Sequence, residues 1–246
     1  MNAKIYLNVP YAEKDYAKSM GACWDAQIKK WYFDGPVKEI SKFGKWIAEG
    51  REQTLIAYES ICIIEAMRTC FQCYKETRVI GFGIWDHSLL IDNDDGTYMI
   101  EDPEDFSEME DEIHLAWTDD EANIPPLLLS YIKNKYSVKT GYSGVVGKCF
   151  ANHCDHCDAI QGNHYLFDSM DSPLSTETPI EAELIKRMKQ LKIFNVYTDV
   201  ALPLDWDMAY CSNDWAYVGY KSEPFEDITL PNAEDMYTSY SEMFCL

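Results

Sequence analysis

Two stretches decide the fold: TCFQCYKETRVIGFGIW at residues 69–85 and NHCDHCDAIQGNHYLF at residues 152–167. Each contains a Cys-x-x-Cys pair followed by apolar residues that predict a strand. Two residues between cysteines allow both thiolates to face one point, and two such pairs provide the four ligands of a tetrahedral zinc site. The spacing therefore predicts one structural Zn²⁺, bound by Cys70, Cys73, Cys154 and Cys157.

The long interval between the pairs suggests what the metal does for the fold. Eighty residues separate Cys73 from Cys154, far more than a compact zinc ribbon needs. A redox dithiol is the alternative for a single pair, but two pairs that each precede a strand favour structural zinc. Four thiolates leave no coordination position for water, which argues against catalytic zinc. Three neighbouring side chains are alternative ligands: Cys149, His153 and His156.

Composition sets the class of protein. Hydrophobic residues make up 47% of the 246-residue chain and aromatic residues 14%, which indicates a folded protein of one large or two modest domains. No apolar run reaches the roughly 18 residues that span a bilayer, and the N-terminus lacks the apolar segment of a signal peptide. We therefore expect a cytoplasmic protein, without a membrane partner, whose nine cysteines are thiols or metal ligands. No role is predicted for Cys23, Cys62, Cys211 and Cys245.

Charge is distributed unevenly along the chain. Residues 1–51 carry nine Lys/Arg against six Asp/Glu, a net charge of +3, whereas residues 52–246 carry twelve against thirty-six, a net charge of −24. Such a surface repels nucleic-acid phosphates and favours a protein partner with a basic surface, although simple solubility is the alternative explanation. The densest acidic run supplies the candidate partner-binding residues Glu101, Asp102, Glu104, Asp105, Glu108, Glu110, Asp111 and Glu112.

The pattern predicts an α+β fold in two parts. Residues 1–51 form a small strand–helix–hairpin–helix module whose last helix is amphipathic. In its first helix Tyr16, Met20 and Ala17 face inward, and the hairpin places three aromatic rings against that helix: Trp24, Trp31 and Phe33. Residues 52–246 form a larger acidic mixed domain, organised around a zinc-ribbon-like site with knuckles at 70–73 and 154–157.

Within the larger part, periodicity predicts several elements. They are strands or a strand–helix over 54–70, a strand over 77–85, a β-hairpin over 88–100 around Asp95-Gly96, a helix over 124–137 and a helix within 176–194 capped by Thr176 or Thr178. The hairpin turn is favoured over a calcium loop because its glycine is out of register with the EF-hand pattern. The last fifty residues show no clear period.

The run YLNVPYAEKDYAKSMGACWDAQIKKWYF at residues 6–33 resembles a small domain of unknown function found in bacterial plasmid and mobile-element proteins, including conjugative primases. The shared features are the strand ending at Val9–Tyr11, the EKDYAK helix, the Gly-Ala-x-Trp-Asp turn and the Lys-Lys-Trp-Tyr run. Cys23 replaces a residue that is usually basic in that family. The resemblance covers about a fifth of the chain and implies a mobile-element or phage context rather than a specific activity.

The segments around both cysteine pairs resemble an uncharacterised bacterial zinc-knuckle family with the motifs C-x-x-C-x-K-x-T and N-H-C-x-x-C-x-x-x-Q-G. The residues that carry this resemblance beside the cysteines are Lys75, Thr77, Asn152, His153, Gln161 and Gly162. The family usually has Gly after its last Cys, where this chain has Asp158, so we expect a less standard turn there.

The sequence favours a binding protein over an enzyme. It contains no G-x-S-x-G, H-E-x-x-H, phosphate-binding loop or dinucleotide fingerprint, and His87, His114 and His164 are isolated along the chain. The leading hypothesis is a non-enzymatic, zinc-stabilised adaptor of a bacterial mobile element or phage, for example an acidic inhibitor of a host defence protein that binds nucleic acid. An uncharacterised hydrolase that uses scattered carboxylates is a third reading.

The alternative hypothesis is a nucleic-acid-binding accessory factor in conjugation or replication. Its candidate residues combine positive charge with aromatic rings on which bases can stack: Lys29, Lys30, Trp31 and Tyr32. The opposing interpretation is that the two aromatic residues belong to the core and hairpin surface, and that the lysines form a solvated face. A net charge of +3 over residues 1–51 favours this opposing interpretation.

Overall fold

The computed structural model describes residues 1–101, 112–178, 180–209, 215–220 and 226–228. Strands and helices alternate irregularly through these residues, and most neighbouring strands are antiparallel, which confirms the α+β class. None of the described helices combines the length and the apolar character needed to cross a bilayer.

The N-terminal module contains a three-stranded antiparallel sheet, in the order β1-β3-β2, with helices packed on it. Its elements are β1 (Asn2–Leu7), a 3₁₀ turn (Tyr11–Glu13), α1 (Lys14–Ser19), β2 (Cys23–Asp25), β3 (Lys30–Pro36) and a 3₁₀ helix (Val37–Trp46). The last element was expected as an amphipathic helix. It is 3₁₀ because Val37, Ile40, Phe43 and Trp46 are all buried, and a spacing of three places them on one face of a helix with three residues per turn.

Two aromatic side chains of the module lie differently from the prediction. Tyr16 is exposed, and its ring contacts the edge of Trp46, while Ala17 is the residue of α1 that faces the core. Trp24 is also exposed. A helix of only six residues presents little more than one position to the sheet, and in α1 this position is the small side chain of Ala17. The larger rings of Tyr16 and Trp24 lie at the surface of the module.

The larger part of the chain contains a six-stranded sheet, a four-stranded sheet and a three-stranded sheet. Their strand orders are β15-β9-β6-β5-β13-β16, β14-β4-β7-β8 and β10-β11-β12, respectively. The strands are β4 (Gln53–Ala57), β5 (Ser60–Thr69), β6 (Glu76–Ile84), β7 (His87–Asp92), β8 (Tyr98–Glu101), β9 (His114–Trp117), β10 (Val138–Ser143), β11 (Gly147–His153), β12 (Ile160–Gln161), β13 (Lys192–Tyr197), β14 (Leu202–Leu204), β15 (Asp207–Ala209) and β16 (Glu226–Ile228).

Helices and turns cover these sheets. They are a 3₁₀ turn (Glu121–Asn123), α2 (Pro126–Lys135), a π-helical turn (His164–Asp168), α3 (Glu181–Gln190) and α4 (Ala216–Gly219). The helix α2 begins with Pro126, at a first position where the missing N–H of proline leaves no hydrogen bond unmade. Neither predicted threonine caps α3, because Ile180 precedes it and makes no side-chain capping bond.

The strand expected after the second cysteine pair is limited to Ile160–Gln161, and the residues His164–Asp168 beyond it form the π-helical turn. Leu166 and Phe167 are adjacent in sequence and both buried. A strand would direct neighbouring side chains to opposite faces, whereas one wide helical turn directs both into the core.

Two apolar clusters form the core. The larger cluster surrounds β5 and β6, where the ring of Phe82 stacks on Trp117 and Trp206 with centroids 5.2 and 4.4 Å apart. The second cluster joins the N-terminal module to the four-stranded sheet through Ile56 and Leu90. The module and the sheet therefore share buried apolar surface, and the division of the chain at residue 51 stays a prediction.

A glycine permits the closest approach between these two parts. The ring of Tyr98 in β8 lies directly over Gly44 of the long 3₁₀ helix, so that a Cβ at this position would overlap the ring. Ala201 adds a backbone hydrogen bond by donating its N–H to the carbonyl of Lys4 in β1 at 2.7 Å. The module is therefore fixed on the sheet by backbone contact as well as by side-chain packing.

Candidate metal centre

The two cysteine pairs lie in turns with the same hydrogen-bond pattern. The first knuckle (residues 70–75) follows β5, and the second knuckle (residues 154–159) follows β11. In the first, the N–H of Cys70 donates to the carbonyl of Lys75 at 2.9 Å, and the N–H of Tyr74 donates to the carbonyl of Cys70 at 2.9 Å. In the second, Cys154 donates to Ala159 at 2.9 Å and Asp158 donates to Cys154 at 3.0 Å.

The residue after each pair has a left-handed backbone. The φ angles are 59° at Tyr74 and 63° at Asp158, a region that favours glycine because a Cβ is crowded there. The turn at Asp158 therefore keeps the shape that a glycine would give, and the expected departure lies in its backbone strain rather than in its geometry. The two knuckles are equivalent in backbone shape, and each directs its thiols toward the other.

The four sulfurs meet between the knuckles. Sγ of Cys70 lies 3.7 Å from Sγ of Cys157, and Sγ of Cys73 lies 3.6 Å from Sγ of Cys154. All four atoms lie within 4.8 Å of one another. Zinc–sulfur bonds of about 2.3 Å place the sulfurs of a tetrahedron about 3.8 Å apart, whereas a disulfide requires about 2.05 Å. The cluster thus has the spacing of metal ligands and not of disulfides.

Protonation of the cluster is shared among its thiols. Burial raises the pKa of Cys70, but the backbone N–H groups of Cys73 and Gln72 and the neighbouring thiols outweigh it and lower the pKa to about 6. At Cys157, the N–H of Ala159 lowers the pKa, while desolvation and the three other thiols raise it to about 12. At Cys154, burial raises the pKa, but the backbone N–H groups of His156 and Cys157 and the thiol of Cys73 outweigh it and lower the pKa as well. A divalent cation bound between the sulfurs would favour ionisation of the thiols.

Two further N–H groups lie close to the sulfurs of the cluster. The side-chain N–H of Gln161, which is fully buried, lies 3.5 Å from Sγ of Cys70. The backbone N–H of His156 donates to Sγ of Cys154 at 3.4 Å. Donors in this outer layer stabilise thiolate charge and orient metal ligands.

The alternative ligands face away from the cluster. The ring Nε2 of His156 bonds to the carbonyl of Glu76 at 2.9 Å, and the ring Nδ1 of His153 bonds to the carbonyl of Asp158 at 2.9 Å. Cys149 lies in β11 and does not belong to the group of four. The four cysteines chosen from their spacing are therefore the ones that the fold brings together.

Side chains from the second resemblance tie the knuckles to the large sheet. Asp155 donates its N–H to the hydroxyl of Thr77 at 2.9 Å, and its carboxylate accepts the N–H of Arg78 at 3.1 Å. Asn152 accepts the N–H of Ile80 at 2.8 Å and donates to the carbonyl of the same residue at 2.9 Å. Sequence reasoning missed these roles, although the quoted motifs contained Thr77, Asn152 and Gln161.

The two hydrogen bonds between the Asn152 side chain and the backbone of Ile80 take the place of bonds to a neighbouring strand. Ile80 pairs with Glu65 of β5 on one side of β6. On the other side, β9 pairs only with Phe82, Gly83 and Ile84. The buried amide of Asn152 therefore satisfies the backbone of Ile80 where the ladder stops, which avoids the cost of an unpaired buried polar group.

The candidate nucleic-acid residues lie together in the β2–β3 hairpin. Lys29 is exposed in the turn with a φ of 58°, and Lys30, Trp31 and Tyr32 are half-buried in β3. The exposed ring of Trp24 meets Trp31 edge to face, with centroids 5.6 Å apart. The sequence prediction did not include Trp24, which is the most exposed aromatic ring of the hairpin.

Several lysines of the module lie beside carboxylates. Lys4 lies 3.7 Å from Asp25, and Lys45 lies 2.6 Å from Glu13. The amine of Lys42 lies 2.9 Å from Glu39 on the next turn of the 3₁₀ helix. These pairs weaken the positive field that a phosphate backbone would meet.

Of the candidate partner-binding residues, Glu101 and Glu112 lie in the described part of the chain, at the end of β8 and before β9. Asp102, Glu104, Asp105, Glu108, Glu110 and Asp111 lie outside the described residues. Glu112 lies 3.7 Å from His114, whose ring contacts that of His87 with centroids 5.0 Å apart. These two histidines are therefore neighbours, and their isolation in the sequence was misleading.

The remaining cysteines differ in environment. Cys23 is exposed in the module, and Cys62 is buried in β5. Desolvation raises the pKa of Cys62 to about 12, although the indole N–H of Trp85 at 2.8 Å opposes this shift. Such a thiol is unreactive at neutral pH. Cys211 and Cys245 lie outside the described residues.

Comparison with known proteins confirms the resemblance of the N-terminal module. Residues 4–48 match the family described as Domain of unknown function (DUF5710). Two proteins named DNA primase TraC from Escherichia coli are similar to the chain, one with 54% identity over 41 residues and the other with 47% over 47 residues. The matches cover 17% and 19% of this chain but only 3% and 4% of the primases. No solved structure matches the chain significantly.

We predict that Tyr74→Gly stabilises the protein. Tyr74 is exposed, so the substitution removes little contact and relieves a left-handed strain of about 1–2 kcal/mol, partly offset by the flexibility of glycine in the unfolded chain. The expected net gain is about 0.5–1 kcal/mol, or about 2 °C in thermal unfolding. Phe71→Gly is the matched control, because Phe71 is an exposed ring in the same knuckle without a positive φ, and it should lower the melting temperature. A lower melting temperature for Tyr74→Gly would contradict the prediction.

Proposed function

We propose that this chain is a non-enzymatic binding protein of a mobile genetic element, stabilised by one structural Zn²⁺. The observation that carries the proposal is the group of four sulfurs, whose spacing of 3.6 and 3.7 Å between the knuckles suits a tetrahedral zinc site. Zinc bound there would cross-link the two knuckles. Thiolate ligands favour zinc over hard cations such as magnesium or calcium.

The donor set supports a structural rather than a catalytic role for the metal. Four protein thiolates complete a tetrahedral shell, and Cys70 and Cys154 are buried beneath it. The neighbouring histidines bond to backbone carbonyls, so neither is placed to act on a metal-bound group. The metal therefore has the structural role of fixing the two knuckles relative to each other, and the protein functions through binding surfaces elsewhere on the chain.

The charge distribution supports a basic protein partner. Residues 52–246 carry a net charge of −24, which favours positively charged surfaces and repels free nucleic acid. An inhibitor that covers the nucleic-acid-binding face of a host defence protein is one concrete form of this proposal. The mobile-element context is supported by the similarity of residues 4–48 to part of a primase named TraC.

Metal content tests the first part of the proposal. The full chain should contain one zinc per molecule by mass spectrometry of the metal, and a chelator should lower its melting temperature. Cys70→Ser should lose the metal and melt at least about 10 °C lower, because structural zinc contributes several kcal/mol or more to folding. Cys23→Ser changes an exposed thiol outside the cluster and should behave as the wild type. Stability that is the same with and without metal would contradict the proposal.

Affinity capture from a bacterial lysate tests the second part. The full chain should retain a basic protein that elutes as salt rises, since screening weakens attraction between opposite charges. A variant with Glu108, Glu110, Asp111 and Glu112 changed to their amides should lose this protein. The matched control changes four exposed acids elsewhere to amides: Asp171, Glu177, Glu183 and Asp199. If no basic protein is retained, or if both variants retain it equally, the acidic run is not the binding surface.

Nucleic-acid binding by the module is the second candidate function, favoured by the exposed Trp24 beside Trp31 and Lys29. If it operates, the full chain binds a single-stranded oligonucleotide with an affinity that falls steeply with salt. Trp24→Ala should then weaken binding about ten-fold or more, because stacking contributes about 1–3 kcal/mol per base. Tyr197→Ala removes an exposed ring outside the module and serves as the control. Equal binding by both variants would remove this candidate.

A further inference from the structure

A cleft of about 790 Å³ lies beside the metal centre. One wall is the first knuckle, the floor is the β10–β11 hairpin, and the far side is the segment 162–165. Neither the predicted metal ligands nor the candidate surfaces from the sequence account for it. The cleft is large enough for one or two side chains of a bound peptide.

The rim of the cleft is apolar and open to solvent. Val145 and Val146 at the tip of the hairpin are 94% and 64% exposed, and the rings of Phe71, Tyr142 and Tyr165 are 62%, 80% and 62% exposed. Exposed apolar side chains scattered singly need no explanation, but five around one cavity indicate a recognition surface. The three rings also offer π faces, on which cations are stabilised.

His153 is one of the polar side chains that line the cleft. The side chain of His153 is only 4% exposed, and its Nδ1 lies 2.9 Å from the carbonyl of Asp158, which requires the hydrogen to be on Nδ1. The same Nδ1 lies 3.4 Å from a carboxylate oxygen of Asp158, and the buried Nε2 has no hydrogen-bond partner among the described residues. The ring lies over Gly141, where a Cβ would be 3.0 Å from Nε2.

Asn163 and Asp119 each provide an acceptor in the cleft. The amide nitrogen of Asn163 donates to a carboxylate oxygen of Asp119 at 2.5 Å, which fixes the orientation of the amide. The amide oxygen of Asn163 is buried and has no donor within the described part of the chain. Asp119 has no Lys or Arg within ion-pair distance among the described residues, whereas Asp158 is paired with Lys139 at 2.6 Å.

The charge of the cleft is negative. Desolvation raises the pKa of Asp119, the amide of Asn163 lowers it, and the nearby carboxylate of Asp207 raises it again. His164 at the rim lies 3.7 Å from Asp168, so the charge of its ring, when protonated, is matched by a carboxylate. A cleft that presents acceptors and negative charge is complementary to a ligand that carries donors and positive charge.

A nucleophilic role for Cys149, which also lines the cleft, is not favoured. Burial and the carboxylate of Asp119 raise the pKa of this thiol, whereas a nucleophilic cysteine requires a lowered pKa. The cleft is therefore better suited to binding than to covalent chemistry.

We propose that this cleft receives an arginine side chain from a basic segment of the partner protein, with a neighbouring apolar residue packed on Val145 and Val146. The guanidinium has five donors and no acceptor, which matches the carboxylate of Asp119 and the amide oxygen of Asn163. The aromatic rim would stack on its planar face. The inference rests on the proposed function, in which the target is a basic protein surface.

Residues 229–246 of this chain are not the source of the arginine. Residues 229–246 contain no Lys or Arg and cannot supply a guanidinium. An ammonium group fits less well, since it concentrates its charge at a point and cannot lie flat against a ring. The chemistry of the cleft thus selects arginine over lysine.

Selection from a phage library of random 12-residue peptides tests the proposal on the full, zinc-loaded chain. The wild type should enrich peptides that contain arginine next to an apolar residue. A selected peptide with citrulline in place of that arginine, which keeps the shape but loses the charge, should bind at least ten-fold more weakly. Asp119→Asn should bind the arginine peptide about ten-fold more weakly than the wild type and should no longer distinguish the two peptides.

Asp199→Asn is the matched control, because it removes one negative charge from an exposed position outside the cleft. It should select and bind as the wild type does. Peptides without arginine enrichment, a preference for lysine, or an arginine preference that persists in Asp119→Asn would each overturn the proposal. A basic protein captured equally by the wild type and Asp119→Asn would also overturn it, yet would leave the proposed function intact. Arginine peptides that bind through Asp119 while no basic protein is captured would instead count against the proposed function.

Discussion

Convergence of four cysteine sulfurs between two equivalent turns is the constraint on which the rest of the structure depends. The turns are 80 residues apart in sequence, and closing so long a loop has an entropic cost that local structure cannot offset. The sulfurs can approach to 3.6–3.7 Å only if β5–β6 and the β10–β11 hairpin adopt one fixed relative position. A metal bound there would stabilise that relative position against the alternatives.

Hydrogen bonds between uncharged groups also join the two knuckle-bearing elements at this junction. Asn152 completes the backbone pairing of Ile80 where β9 ends, and Thr77 accepts the N–H of Asp155 in the second knuckle. The two bonds of Asn152 are buried, and their loss would leave unpaired polar groups rather than merely remove contacts. The junction is therefore specified twice, by the thiols and by a hydrogen-bond network that surrounds them. The cleft beside the first knuckle depends on this rigidity, because its floor and its wall come from the two elements that the junction holds together.

The N-terminal module and the rest of the chain meet in a different way. Their contact is mainly apolar and includes a ring packed directly on Gly44. The module was recognisable from its sequence because its turns and aromatic residues follow one another within about fifty residues. Its internal details were less predictable: Tyr16 and Trp24 lie at the surface, and the second helix is 3₁₀. Those outcomes depend on how little room a six-residue helix and a small sheet leave for large rings.

By itself, the sequence was enough to identify the four cysteines as one group of candidate ligands, to predict most strands and helices, and to reveal the N-terminal resemblance and the excess of negative charge. These features are local or compositional, so spacing and periodicity are enough to identify them. Only the tertiary structure decided that Asn152 bonds to Ile80, that His87 lies beside His114, and that Asp119, His153 and Asn163 share a cleft. Each of these contacts joins residues distant in sequence, and each depends on strand register and on how the hairpin sits on the large sheet, neither of which leaves a periodic signal in the chain.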